Sequence, residues 1–267
     1  MVWAVQDFTN YLPGGYNDYL EELHEFAVRL YARASGKDTK YFLDKTPSYH
    51  LVVEQIIEIF PEAKFIFLWR NPLSVISSML SSWQNGRWNI YHSEFRLFKG
   101  LSNLVSAFEK YQDQVCSIKY EEMILNTDQS IKNVFDYLEL PFDPVILDEY
   151  SKIELHGRVQ YSYYDKLEYQ TIRQESIAKW KDVINNPLRK MHCRRYLRWI
   201  GQERLAIMGY DLDDLLNQLN VVPFNLQYFF SDLYWIPYGK IYPIFEPRIM
   251  KHNIQALLNG KRIYPHT

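Results

Sequence analysis

Apolar residues recur at helical spacing through Leu20, Leu23, Phe26, Ala27, Leu30 and Tyr31, with Asn17 placed as N-cap and Gly36 as a C-terminal stop. This predicts a first long helix. Tyr41-Phe42-Leu43 reads as a short strand, and Val52, Val53, Ile56, Ile57 and Phe60 mark one face of a second helix that ends before Pro61. Lys64 to Trp69 is then a continuous apolar run, the pattern of a strand buried on both faces of a parallel sheet. Asn71-Pro72 follows at once as N-cap and first helical residue, and Val75, Ile76, Met79, Leu80 and Trp83 supply the buried stripe of the helix it opens. Leu97, Phe98, Leu101, Leu104, Val105 and Phe108 predict another helix, Val115 to Tyr120 a strand, and Ile131, Val134, Phe135 and Leu138 a helix closed by Pro141. From about Asp148 to Glu175 the periodicity weakens into a polar, Tyr-rich stretch that reads as a long loop or lid. Helices resume around Ile177 and after Asn186-Pro187.

Strands alternating with helices specify an α/β fold: a mainly parallel central sheet flanked by helices, with right-handed crossovers and a helical C-terminal region. Ligands of such sheets sit beyond the carboxyl ends of the strands. The expected organisation is an α/β domain over residues 1–220 and an aromatic-rich C-terminal extension, 221–267, packing on it. At 267 residues and 47% hydrophobic, the chain can bury one main core. Its net charge of −2 provides no basic field for nucleic acid, so any anion site must be local. Cys116 and Cys193 are too few for a disulfide framework and do not match zinc spacing, which favours a reducing, cytoplasmic setting and no metal site. The N-terminus lacks the features of a signal peptide, and no run approaches the roughly 18 apolar residues of a membrane span.

The candidate chemistry begins at Arg70, which stands at the carboxyl end of the apolar run and directly before the capped helix. A guanidinium there can hold a phosphate by two parallel hydrogen bonds, with the helix start adding attraction; the alternative is an ion pair with an acidic side chain at the sheet edge. Ser78 follows eight residues later. Lys64 to Ser78 closely resembles the 3′-phosphate-binding segment of sulfotransferases that use 3′-phosphoadenosine 5′-phosphosulfate (PAPS), where an Arg-Asn-Pro or Arg-Asp-Pro turn is followed at that distance by a Ser. By this resemblance Arg70 and Ser78 bind the 3′-phosphate of PAPS or of its desulfated product PAP.

Three further segments match in order. Lys119-Tyr120-Glu121-Glu122-Met123 resembles the family's Tyr-Glu-Asp strand end, which implies that Tyr120 contacts adenine. Ser176 to Lys181 resembles the Gly-Lys-Trp-Lys element. Arg173, seven residues before Trp180, stands where cytosolic members carry the Arg of an Arg-Lys-Gly loop that closes over the 3′-phosphate, although Gln174 and Glu175 replace Lys and Gly here. Leu43-Asp44-Lys45-Thr46-Pro47-Ser48-Tyr49 resembles the segment that places catalytic groups beside the acceptor. Lys45 would neutralise charge building on the bridging oxygen, and Asp44 would be a base for the acceptor hydroxyl.

The resemblance implies a P-loop NTPase-like sulfotransferase fold, no metal, and transfer of a sulfuryl group to a hydroxyl or amine of a small-molecule or carbohydrate acceptor. One element of the family is missing: no strand leads into a Pro-Lys-Ser-Gly-Thr-Thr loop, and Pro13-Gly14-Gly15-Tyr16 has glycines without the Lys, Ser or Thr that cradle the 5′-phosphosulfate. The expectation is a fold that is N-terminally incomplete, with an upstream segment or a partner chain completing the site. The alternative function is a catalytically inactive PAP(S)-binding or scaffold protein.

Overall fold

The computed structural model describes residues 3–36, 39, 41–149, 174–245 and 250–260. They divide into two compact units, residues 1–64 with 96–110 and residues 65–95 with 111–267.

The first unit is helical. Its long helix, Tyr16–Ala34, begins just ahead of the predicted Asn17 cap, because Gly15 turns the chain at φ 63° and the Asp18 carboxylate accepts the Gly14 N–H at 2.7 Å. This helix packs on Val53–Ile59, where the His24 ring meets the Ile59 carbonyl at 2.8 Å and lies tilted against Phe60. A π-helical turn, Arg96–Gly100, leads into the Leu101–Tyr111 helix, and Asn103 donates to the Leu51 carbonyl at 2.8 Å. The strand predicted at Tyr41-Phe42-Leu43 does not form; all three residues are exposed. A strand exists through its ladder, and no described strand pairs with this one.

The second unit holds the sheet. Strands β1, Phe65–Trp69, and β2, Val115–Lys119, run parallel, pairing Phe65 with Val115 through to Trp69 with Lys119. The expected α/β class therefore holds, with a sheet of two strands among the described residues and helices dominating. β1 is not buried on both faces as its apolar run suggested: Phe67 and Trp69 are 4% and 3% exposed, but Ile66 and Leu68 are 38% and 52% exposed. The pleat turns alternate residues to opposite faces, and only one face of β1 is covered. The Tyr137 hydroxyl clasps the amino ends of both strands, accepting the Phe65 N–H and donating to the Gln114 carbonyl, each at 2.9 Å.

Asn71 caps the Pro72–Trp83 helix as its sequence predicts, accepting the Leu73 N–H at 2.9 Å. That helix buries Leu73, Ile76 and Leu80 and packs on the short Trp180–Val183 helix. Tyr120 opens a helix, Tyr120–Leu125, rather than ending β2; Glu121 and Glu122 in its first turn suit the positive helix start.

In the same unit the Pro187–Ile207 helix is capped by Asn186 and broken at Gly201 (φ 79°), and it packs on Phe229–Phe245. Their contact is polar at its centre. Arg189 and Asp232 are fully buried and paired at 2.6 and 2.9 Å, Asn186 donates to Asp232 at 2.8 Å, and the remaining Arg189 donors reach the Val183 and Gly86 carbonyls. Every charge there is matched, which is the condition for tolerating burial.

Beside this network His192 lies against Trp88, with ring centroids 5.5 Å apart. Burial, then Lys240 and Arg195, lower its imidazole from 6.5 to about 4. An unfolded chain thus takes up a proton below pH 6.5 that the folded one refuses until about pH 4, so this contribution to stability is intact above 6.5 and lost between 6.5 and 4. The unfolding midpoint should fall across that window, and His192→Gln should flatten the fall; equal acid slopes in variant and parent would exclude His192 as a source. Burial lowers His50 as well, so a residual slope is expected.

Among the described residues, no helix is long and apolar enough to cross a membrane.

Candidate nucleotide site at the strand exits

Where β1 ends, Arg70 turns its guanidinium onto the Tyr120 ring, 4.4 Å from the centroid, in a cation–π contact. Its Nε is buried and has no hydrogen-bond partner, and Arg70 makes no ion pair among the described residues. The nearby Glu121 carboxylate is occupied elsewhere: one oxygen accepts the Asn71 N–H at 3.0 Å and the other the Tyr210 hydroxyl at 2.5 Å. Burial and then the bond to Glu121 push the Tyr210 phenol far up, so it stays protonated and donates. Lys119 lies 4.8 Å over the Tyr210 ring and 3.4 Å from Glu122. The Tyr120 hydroxyl meets Ser176 at 3.3 Å.

The first turn of the Pro72–Trp83 helix offers fewer donors than a bare helix start. Pro72 has no N–H, and those of Leu73 and Val75 go to the Asn71 side chain and carbonyl. Ser74 compensates, because its hydroxyl is buried and unpartnered, the second such atom at this turn after Arg70 Nε. Ser78, half-buried, lies one helical turn further along the same face. Orphaned buried donors cost free energy unless something accepts from them, and an anion is an acceptor that a guanidinium and a hydroxyl can each use. The residues present therefore fit the 3′-phosphate end of PAPS. The Gly14-Gly15 turn does not fit its other end, since the Asp18 carboxylate already holds the Gly14 N–H.

The structure thus brings Arg70 and Tyr120 into contact and sets Ser78 on the helix that starts beside them, all in the second unit. Lys45 and Asp44 belong to the first. Lys45 is exposed and unpaired among the described residues. Asp44 accepts the Tyr31 and Tyr49 hydroxyls at 2.5 Å each and that of Thr46 at 3.3 Å, and the Tyr31 phenol is driven up chiefly by its bond to Asp44. Arg173 and residues 150–172 of the expected long loop lie outside the described residues. Trp88 and Tyr91 are buried, with Tyr91 against Tyr238 and Tyr242.

Residues 15–144 match the family model described as the Sulfotransferase family. The chain carries a sulfotransferase-family domain. The matched stretch contains Asp44, Lys45, Arg70, Ser78, Tyr120 and Glu121, whereas Ser176 and Tyr210 lie outside the match. Protein-tyrosine sulfotransferase 1 of Danio rerio is 22% identical over 192 residues, 66% of this chain and 50% of its own length. The protein-tyrosine sulfotransferase of Drosophila melanogaster is 21% identical over 180 residues, 60% of this chain and 34% of its own. Nodulation protein NoeE of Sinorhizobium fredii is 42% identical over 57 residues, 21% of this chain and 13% of its own. The chain spans half or less of the length of these curated relatives. Among solved structures, a sulfotransferase domain from the curacin biosynthetic pathway shares 23% identity at a TM-score of 0.48, covering 60% of this chain and 61% of that one.

Sequence reasoning passed over Ser74, Glu121 and Tyr210. Ser74 shares a helix face with Ser78, and that spacing is legible; Glu121 follows Tyr120 directly. Nothing in the spacing points to Tyr210, which reaches Glu121 across 89 residues.

Proposed function

We propose that this sulfotransferase-family domain binds the 3′-phosphate and adenosine of PAPS through Arg70, Ser78 and Tyr120, and serves transfer of its sulfuryl group to an acceptor hydroxyl or amine. The observation that carries the reading is a strand-exit guanidinium, stacked on an aromatic ring, whose Nε is buried without an acceptor. Arg70 supplies a planar fork for a phosphate dianion, and stacking on Tyr120 fixes the fork's plane before the ligand arrives. The hydroxyls of Ser74 and Ser78 extend the same face with neutral donors. Arg173 is proposed to close over the same phosphate.

When bound, PAPS supplies an activated sulfuryl group whose bridging oxygen gathers negative charge as the acceptor oxygen attacks sulfur. Lys45 is the residue suited to neutralise that charge, its ammonium having no partner among the described residues. Asp44, with three hydroxyls already donating to it, suits the role of anchor for the Lys45 turn better than that of base. Two relatives are named for tyrosine, so a tyrosyl hydroxyl is the first acceptor to try, beside phenols and sugars.

The test is radiolabelled PAPS with purified protein and those acceptors, alongside calorimetric titration with PAP. Labelled product is expected, and Lys45→Ala should abolish most of it while leaving PAP affinity unchanged. PAP binding without product on any acceptor would restrict this chain to nucleotide recognition, and absence of PAP binding would overturn the reading.

A further inference from the structure

We propose that Glu121 and Tyr210 act together as a positioning pair that sets Arg70 for the 3′-phosphate, an inference that rests on the nucleotide reading above and adds the residues that aim its principal side chain. A carboxylate beside a phosphate site is unfavourable by simple electrostatics, since like charges repel. Its presence calls for a compensating task, and the contacts supply one.

The N–H that Glu121 accepts belongs to Asn71, so the carboxylate grips the peptide joining Arg70 to the helix cap. Holding that peptide plane fixes the backbone on both sides of it: the direction in which the Arg70 side chain leaves the strand and the entry into the Pro72–Trp83 helix, where Asn71 stands at φ −46°, ψ 120°. Tyr120, the preceding residue, holds the guanidinium itself. Two consecutive residues in the first turn of the helix after β2 thus control the main chain and the side chain of the one residue that leaves β1.

Tyr210 completes the arrangement from 89 residues further along the chain. It follows the Pro187–Ile207 helix in a turn where Gly209 adopts φ 80° and the Tyr210 N–H donates to the Leu205 carbonyl at 2.8 Å. Its hydroxyl donates to the second Glu121 oxygen, so that both oxygens are already engaged by donors other than the guanidinium. Lys119, over the Tyr210 ring, adds a positive charge on the same side. Glu121 can therefore sit near Arg70 without capturing it.

The experiment compares binding of PAP and of AMP, which lacks the 3′-phosphate, to wild-type protein and to Glu121→Ala, Glu121→Gln and Tyr210→Phe, each checked for an unchanged melting temperature. Glu121→Ala should weaken PAP binding about tenfold, the scale of a charge-assisted hydrogen bond, with AMP binding unaltered. Glu121→Gln keeps an acceptor for the Asn71 N–H and should recover most of that loss, and Tyr210→Phe should fall between. A merely structural role would weaken both nucleotides alike. Equal losses for PAP and AMP, or wild-type PAP affinity in folded Glu121→Ala or Tyr210→Phe, would overturn the pairing and leave the nucleotide reading in place. Should Glu121→Ala fail to fold, the Gln and Phe variants carry the same comparison. A wild-type protein that does not prefer PAP to AMP would overturn the parent reading and this inference with it.

Discussion

Arg70→Ala is expected to weaken PAP binding by about 1.5 to 3 kcal/mol, roughly ten- to a hundredfold, the range for hydrogen bonds to a charged group. The guanidinium is half-buried, stacked on Tyr120, and carries an Nε with no other acceptor, so its removal takes away donors that have no competing use. Arg70→Lys makes the comparison sharper. It keeps the positive charge but loses the planar fork and the stacking geometry, so it should recover only part of the affinity. Calorimetric titration with PAP reads both variants, and wild-type affinity in folded Arg70→Ala would remove the site from this turn.

The second large effect concerns stability. Asp232→Ala should destabilise the protein by about 3 to 5 kcal/mol, because it leaves the fully buried Arg189 guanidinium without its countercharge. Native domains hold only about 5 to 15 kcal/mol in reserve, so the loss should appear as a large drop in the denaturant or thermal midpoint. Two of the guanidinium's bonds would survive, those to the Val183 and Gly86 carbonyls, but carbonyl dipoles do not neutralise a full charge. Replacing both partners, as in Arg189→Met with Asp232→Leu, removes the charge and the countercharge together and should cost much less than the single change. A double variant as unstable as Asp232→Ala would show that packing, not charge matching, dominates this contact.

The parts of the architecture written in short range were legible in the sequence. Asn71-Pro72 marked both a helix cap and the end of β1, because an Asx side chain and a ring without an N–H each act within a few residues. Alternation of strands and helices gave the α/β class for the same reason. What failed was long-range. Tyr41-Phe42-Leu43 has strand composition but finds no described partner, and the apolar Ile66 and Leu68 face outward because burial depends on what arrives from elsewhere in the chain. At the site, Arg70 and Tyr120 were marked by their places at strand ends. Tyr210 was invisible, since a hydroxyl that travels across 89 residues to reach a carboxylate leaves no periodic trace.

The Tyr137 clasp has a mechanical consequence. β1 and β2 share only five paired positions, few enough that sliding by one residue would forfeit little ladder energy. Such slippage would present Leu68 to the interior in place of Phe67 and carry Arg70 out of reach of Tyr120. With one phenol bolting the strands together where they start and the Asn71–Glu121 bond tying them where they finish, the sheet behaves as a ruler clamped at both ends, and the spacing between guanidinium and ring becomes a fixed length.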